Sequence, residues 1–268
     1  MTWSRHNLVG HHVGRGVQRG LSSRCARGCL VDDHEGEVPV APNAVAGPTL
    51  LLVHGAWHGG WCWSKLQEAL GSRDIPTRTV DLPSAGGRRG IAEDTRAVRH
   101  ALSSIDGPVV VVAHSYGGIP VSQAIAEMPS VSRVVYLAAF QLDVGESLMG
   151  FYGAPAPTEP QEFEPVPDNP RDLFYADVHS AEAAEATARL VPQSAKTFTD
   201  AVTVAGWHTI PSTYIICEQD QALPAQLQKK LAVRADDVRH LASGHSPFLS
   251  MPQDLAGMLS QIAQEPTS

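Results

Sequence analysis

The stretch Val109-Val110-Val111-Val112-Ala113-His114-Ser115-Tyr116-Gly117 decides how the rest of this 268-residue chain reads. Four consecutive valines are apolar and β-branched, the pattern of a strand buried on both faces of a parallel sheet. A serine follows, with a small residue, Ala113, two positions before it and Gly117 two positions after. Small residues there let a strand reverse sharply into a helix while the serine is held in a strained backbone conformation with its oxygen exposed. Serine-glycine turns also occur in ordinary loops, so reading Ser115 as a nucleophile depends on what the remainder of the chain offers it.

Two later segments offer the missing chemistry. Thr213-Tyr214-Ile215-Ile216-Cys217 is strand-like and runs into Glu218-Gln219-Asp220, and Val238-Arg239-His240-Leu241 runs into Ala242-Ser243-Gly244-His245-Ser246-Pro247. Each sets a titratable side chain just past a strand end. A serine hydroxyl is a poor nucleophile at neutral pH, so a base, His245, must take its proton, and a carboxylate must hold that imidazole in the right tautomer. Nucleophile, acid, then histidine is the chain order of an α/β-hydrolase fold. A fourth segment, Leu51-Leu52-Val53-His54-Gly55-Ala56-Trp57, is another strand entering a glycine-containing loop, of the kind that supplies one backbone N–H to an oxyanion hole. The second N–H would come from Tyr116, the residue after the serine. Glu218 and Asp220 both follow the same strand and compete for the acid role.

Val53-His54-Gly55-Ala56-Trp57-His58-Gly59-Gly60-Trp61-Cys62-Trp63, Ala113-His114-Ser115-Tyr116-Gly117-Gly118, Cys217-Glu218-Gln219-Asp220 and Gly244-His245-Ser246-Pro247-Phe248 together resemble the α/β-hydrolase branch that holds bacterial carboxylesterases, plant methyl-ester esterases and hydroxynitrile lyases. The resemblance runs from about Pro48 to Ile262 and leaves out the first 47 residues. It implies a catalytic triad of Ser115, Asp220 and His245, with oxyanion donors at the Ala56 and Tyr116 backbone N–H groups, and it prefers Asp220 to Glu218. The lyases of the branch carry threonine where Gly55 stands and lysine where Ser246 stands. Both are missing here, which favours ester hydrolysis.

The chain alternates strands and helices on either side of one interruption. Expected strands are Thr49–Val53, Thr77–Val80, Pro108–Val112, Arg133–Leu137, Thr213–Cys217 and Val238–Leu241. Expected helices are Trp61–Leu70, Ile91–Ser104, Tyr116–Glu127, Pro224–Val233 and Gln253–Gln264. Such alternation forces a mostly parallel sheet of about six strands flanked by helices, because each parallel connection needs a crossover. Ligands bind such sheets outside the carboxyl ends of the strands, where Ala56, Ser115, Asp220 and His245 all fall. The core therefore reads as residues 48–140 and 211–268. The proline-rich residues 141–210 read as an inserted lid, with Phe151, Tyr152, Phe174, Tyr175, Phe198 and Trp207 as apolar lining. The substrate-binding set is Gly55, Trp57, Phe151, Tyr152 and Trp207.

That insert holds eleven acids, among them Asp143, Glu146, Glu159 and Glu162, against Arg171, Arg189 and Lys196, an excess equal to the formal net charge of −8. An acidic segment over a pocket mouth repels anions and favours a neutral ester or lactone, unless the charges only solvate the outer surface. Residues 1–31 carry Arg5, Arg15, Arg19, Arg24 and Arg27 with no acid and little periodicity. Residues 1–47 are therefore expected to be a poorly ordered extension, and the arginine bias fits a bacterial, GC-rich source. Cys25, Cys29, Cys62 and Cys217 are too scattered for a disulfide framework and read as free thiols.

No metal and no organic cofactor are expected, since the triad needs neither. The expected partner is a small-molecule ester, with no nucleic acid and no membrane, in a cytoplasmic setting; the oligomeric state is left open, a homodimer included. Asp81 reads as a loop-capping carboxylate and His54, His58 and His114 as structural hydrogen-bonding groups. The sequence thus reads as a serine carboxylesterase. The alternatives are a lyase-like or lactone-forming enzyme on the same scaffold, or a ligand receptor that does not turn over.

Overall fold

The computed structural model of the protein describes residues 47–154 and 161–266. The extension expected over 1–47 lies outside the described residues apart from Gly47, as do Cys25, Cys29 and Glu159.

Six strands form one sheet: β1 (Thr49–Val53), β2 (Thr77–Val80), β3 (Val109–His114), β4 (Val131–Leu137), and, after the insert, β7 (Ser212–Cys217) and β8 (Asp237–Leu241). Their order in space is β2-β1-β3-β4-β7-β8, and every pairing is parallel. β1 and β3 are buried along almost their whole length because helices cover both faces. Alternation then divides each strand between two cores. Leu51, Val53, Val109, Val111 and Ala113 face one core with Val98 and Leu102. Leu50, Leu52, Val110 and Val112 face the other with Leu66, Leu70, Leu255 and Leu259. The valine run of β3 is thus apolar on both sides because both sides are covered.

The helices of the core are α1 (Ser64–Gly71), α2 (Ile91–Ser103), α3 (Gly118–Ala124), α8 (Ala225–Ala232), α9 (Pro247–Ser250) and α10 (Pro252–Gln264). Two expected helices differ. The one expected from Tyr116 to Glu127 opens with a 3-10 turn at Ser115–Gly117 and is α-helical only to Ala124, and the one expected from Trp61 opens with a 3-10 turn at Gly60–Trp63. β3 runs two residues beyond its expected end, so the serine follows the last strand residue directly.

Between β4 and β7 the chain carries α4 (Leu148–Phe151), β5 (Phe163–Glu164), α5 (Pro170–Phe174), α6 (Ser180–Ala188), β6 (Gln193–Ser194) and α7 (Lys196–Thr199). β5 and β6 pair antiparallel. Backbone hydrogen bonds tie this segment to the core: Val191 N–H to Trp57 O at 3.0 Å, Gly86 N–H to Pro192 O at 2.7 Å and Ser194 N–H to Ser84 O at 3.0 Å. Several of its acids are paired with bases of the core, Glu146 with Arg234, Glu162 with Arg88 and Glu182 with Lys65. Among the described residues no helix is long and apolar enough to cross a membrane.

Candidate active site

The chain passes β1 and β2, then returns to lay β3 on the other side of β1, so the crevice at the carboxyl ends of β1 and β3 is the topological switch point of the sheet. Ser115 sits there. Its φ is +51°, a left-handed conformation that a non-glycine residue adopts at a cost on the order of 1–3 kcal/mol. The strain is held by close packing behind the turn. A Cβ on Gly117 would lie 2.5 Å from His54 O, so only glycine fits, and the Ser115 carbonyl accepts from Phe140 N–H at 3.0 Å.

Asp220 follows β7 and His245 follows β8, and the parallel pairing of those strands brings them together. His245 Nδ1 lies 2.7 Å from Asp220 Oδ2, and both residues are almost fully buried. The carboxylate is saturated: its Oδ1 accepts from Ala222 and Leu223 N–H at 2.8 Å each, and its Oδ2 also accepts from Gln228 Nε2 at 3.1 Å. With Nδ1–H given to Asp220, the Nε2 of a neutral His245 carries the lone pair. Glu218 is elsewhere, half exposed and 3.1 Å from His240 Nδ1.

The loop that carries His245 is held from two sides. Gly244 N–H donates to Asp177 Oδ2 at 2.7 Å, and His114 Nε2 donates to the His245 carbonyl at 2.9 Å. The Asp177 contact comes from the insert, 67 positions away, and no local pattern announces it.

The three histidines that flank the site motifs, His54, His58 and His114, are buried. His54 Nδ1 donates to Gly55 O and its Nε2 accepts from Leu82 N–H, while His58 Nδ1 donates to Ala56 O and its Nε2 accepts from the Tyr175 hydroxyl. Burial lowers all three pKa values, that of His58 to about 3, with neighbouring imidazoles pushing His58 and His114 the same way. Asp81 accepts from Gly60 N–H at 2.6 Å, as a loop-capping carboxylate does. Burial raises the Cys62 and Cys217 thiols, so both stay protonated, free and out of reach of solvent. Among the described residues no group of three or more His, Cys, Asp or Glu could hold a metal ion.

A cavity of about 160 Å³ opens over Ser115 and His245, and Ala56 and Tyr116 line it too. Its other walls are apolar: Trp57, Phe140, Leu148, Tyr152, Pro167, Leu173, Phe174, Phe198, Ala222 and Leu223. Of the residues expected to bind substrate, Trp57 and Tyr152 line this space and three do not. Phe151 turns from the cavity to pack on the core, 5.7 Å edge-to-face from Phe140, and Trp207 donates its indole N–H to Leu142 O and stacks on His208. Gly55 lies behind the serine, where an added Cβ would stand 2.8 Å from Ser115 Cβ and 3.0 Å from His114 Nδ1. Of the further lining aromatics, Tyr175 is also withdrawn, fully buried with its hydroxyl on His58. Phe140, Leu148, Leu173 and Leu223 were not anticipated. They are ordinary apolar residues whose sequence neighbourhood gives no signal: Leu148 and Leu173 come from the insert, while Phe140 follows β4 and Leu223 follows β7.

The model of the alpha/beta hydrolase family matches residues 50–258. An alpha/beta hydrolase of Aspergillus novofumigatus (strain IBT 16806), nvfD, is 30% identical over 243 residues, 81% of this chain and 97% of that protein. Methylesterase 7 of Arabidopsis thaliana is 26% identical, covering 80% of this chain and 96% of its own length. The crystal structure of a pyrethroid hydrolase from Sphingobium faniae JZ-2 superposes with a TM-score of 0.68 at 25% identity, covering 82% of this chain and 98% of that one. The sheet, the matched length and the identity agree: the chain belongs to the alpha/beta hydrolase family and is an enzyme of its hydrolase and esterase kind.

Proposed function

We propose that the protein is a serine carboxylesterase acting on a neutral, apolar carboxylic ester or lactone. One observation carries the reading: Ser115 shares a cavity with His245, whose Nδ1 is committed to a buried carboxylate. In this reading Ser115 Oγ attacks the ester carbonyl carbon and gives its proton to His245 Nε2. The carbonyl oxygen becomes an oxyanion held by the Ala56 and Tyr116 backbone N–H groups, and Asp220 stabilises the imidazolium. His245 then protonates the leaving alkoxide, and water, deprotonated by the same imidazole, releases the acid and restores Ser115.

The preference for a neutral substrate rests on the cavity wall, which among its lining residues has no carboxylate, ammonium or guanidinium. The acids of residues 141–210 contribute less to it than their number implies, since several are paired with core bases. Residues 141–210 act as the lid in this reading, supplying Leu148, Tyr152, Pro167, Leu173, Phe174 and Phe198 to the pocket. Cyanohydrin cleavage is disfavoured by the crowding at Gly55, which leaves no room for the threonine of the lyases, and by Ser246 in place of their lysine.

The test is hydrolysis of p-nitrophenyl esters of graded acyl length, with mass spectrometry of the quenched enzyme. A stoichiometric burst, an acyl adduct on Ser115 and loss of both in Ser115→Ala are expected. Absence of turnover and adduct across the panel would leave the receptor alternative, and mandelonitrile cleavage faster than any ester hydrolysis would leave the lyase.

A further inference from the structure

Asp94, on α2, is a carboxylate with no exposed surface, and the reaction proposed above does not use it. Among the described residues no cation pairs with it. It accepts three hydrogen bonds from neutral donors instead: Ser84 N–H on Oδ1 at 3.0 Å, and the Ser84 hydroxyl at 2.5 Å and the Tyr116 hydroxyl at 2.6 Å on Oδ2. An isolated buried carboxylate is expensive, and an apolar pair of the same shape would pack there more cheaply. What the carboxylate adds is direction.

The hydrogen bonds continue past Ser84 with a single polarity. Ser84 Oγ accepts from Gln193 Nε2 at 2.8 Å, whose second hydrogen goes to Thr197 Oγ1 at 3.1 Å, and Gln193 Oε1 accepts from Trp57 N–H at 3.1 Å. Ser84, Gln193, Thr197 and Tyr116 are all buried, so no water competes for these bonds. One end of the chain is the side chain of Tyr116. The other is the backbone of Trp57, the neighbour of Ala56, held at a left-handed φ of +62° by this bond and by the bond from Val191 N–H to its carbonyl. The two ends are therefore anchored to the two loops that carry the oxyanion donors.

We infer that Asp94, Ser84 and Gln193 form a positioning relay that sets the separation of the Ala56 and Tyr116 backbone N–H groups, with Gln193 bringing the insert into register with the core. The inference rests on the esterase reading. Donors placed in advance stabilise a developing charge without reorganisation, and small misplacements of such groups cost large factors in rate. Asp94→Asn breaks the polarity. The amide would donate toward Ser84 Oγ, which already accepts from Gln193, and the serine hydrogen would lose its acceptor.

Tyr116→Phe, Gln193→Met, Asp94→Asn and the Tyr116→Phe/Gln193→Met double variant are compared with wild type in two assays: hydrolysis of p-nitrophenyl acetate, and the rate at which Ser115 Oγ attacks the phosphorus of a fluorophosphonate, expelling fluoride and taking the phosphonyl group. Each single variant is expected to lower kcat about 10- to 100-fold with KM held within about twofold, and to slow phosphonylation in parallel. The double variant is expected to lose less than the product of its singles, since one clamp is being released twice. Tyr116→Phe removes a single hydroxyl and decides the matter should Asp94→Asn fail to fold. Unchanged kcat and phosphonylation in Tyr116→Phe and Gln193→Met, with only a lowered melting temperature, would reduce the relay to ordinary core packing and overturn the inference. Should wild type label at Ser115 yet hydrolyse no ester, the esterase reading falls, and the labelling ratios still decide the relay.

Discussion

Asp220 Oδ2 lies 2.7 Å from His245 Nδ1, whereas Glu218, two positions earlier on the same strand exit, reaches only the exposed His240. The difference is one of burial as much as of distance: Asp220 is 4% exposed and fastened by Ala222 and Leu223 N–H. Asp220→Asn is expected to cut kcat by about 10⁴, the cost of a wrong imidazole tautomer, while Glu218→Gln changes it by less than about threefold. Steady-state kinetics on a p-nitrophenyl ester measure both, and the reverse ranking would move the acid to Glu218.

Gly55 has no room to grow. With Ser115 Cβ 2.8 Å from the position an added Cβ would take, Gly55→Thr must displace the serine or its own loop. Ester turnover is expected to fall about 100-fold, the cost of a misplacement near 1 Å, with no gain of mandelonitrile cleavage. A Gly55→Thr enzyme that keeps wild-type kcat would show that the turn yields more easily than its packing implies.

Burial pushes the Asp94 carboxyl up to about 6, against the opposing hydrogen bonds from Ser84 and Tyr116 and with a smaller push from Glu93. A carboxyl whose folded pKa exceeds its unfolded one binds its proton more tightly when folded. Its favourable contribution is complete below the unfolded pKa near 3.8 and is lost as pH rises through about 6. Wild type is therefore expected to lose stability relative to Asp94→Asn between pH 4 and pH 7, by an amount on the order of 3 kcal/mol. Urea midpoints of the two proteins across that range test this, and a difference that does not change with pH contradicts it.

Phe198 closes the cavity against Trp57, the ring centroids 5.6 Å apart. Phe198→Ala is expected to deepen the pocket and raise kcat/KM for an octanoyl ester over an acetyl ester by about 10-fold or more, the scale on which added methylenes are discriminated. A ratio that stays at its wild-type value would place the acyl chain against another wall.

The sequence alone determined what depends on short-range pattern. The valine run before Ser115 announces a strand covered on both faces, the alternation of strands with helices compels crossovers, and a titratable residue just past a strand end falls at the carboxyl edge of a parallel sheet. The six strands and the positions of Ser115, Asp220 and His245 were legible for that reason. Tertiary structure decided the rest, because it depends on contacts between residues distant in sequence. Phe151 and Trp207 carry the same apolar character as Phe174 and Phe198, yet only the second pair reaches the cavity, since the docking of the insert chooses which faces turn inward. Asp94 reads along the chain as one more acid in the first turn of a helix. Its contacts with Tyr116 and Ser84 join separate segments of the core, and the path from there through Gln193 to Trp57 exists only where the insert meets that core.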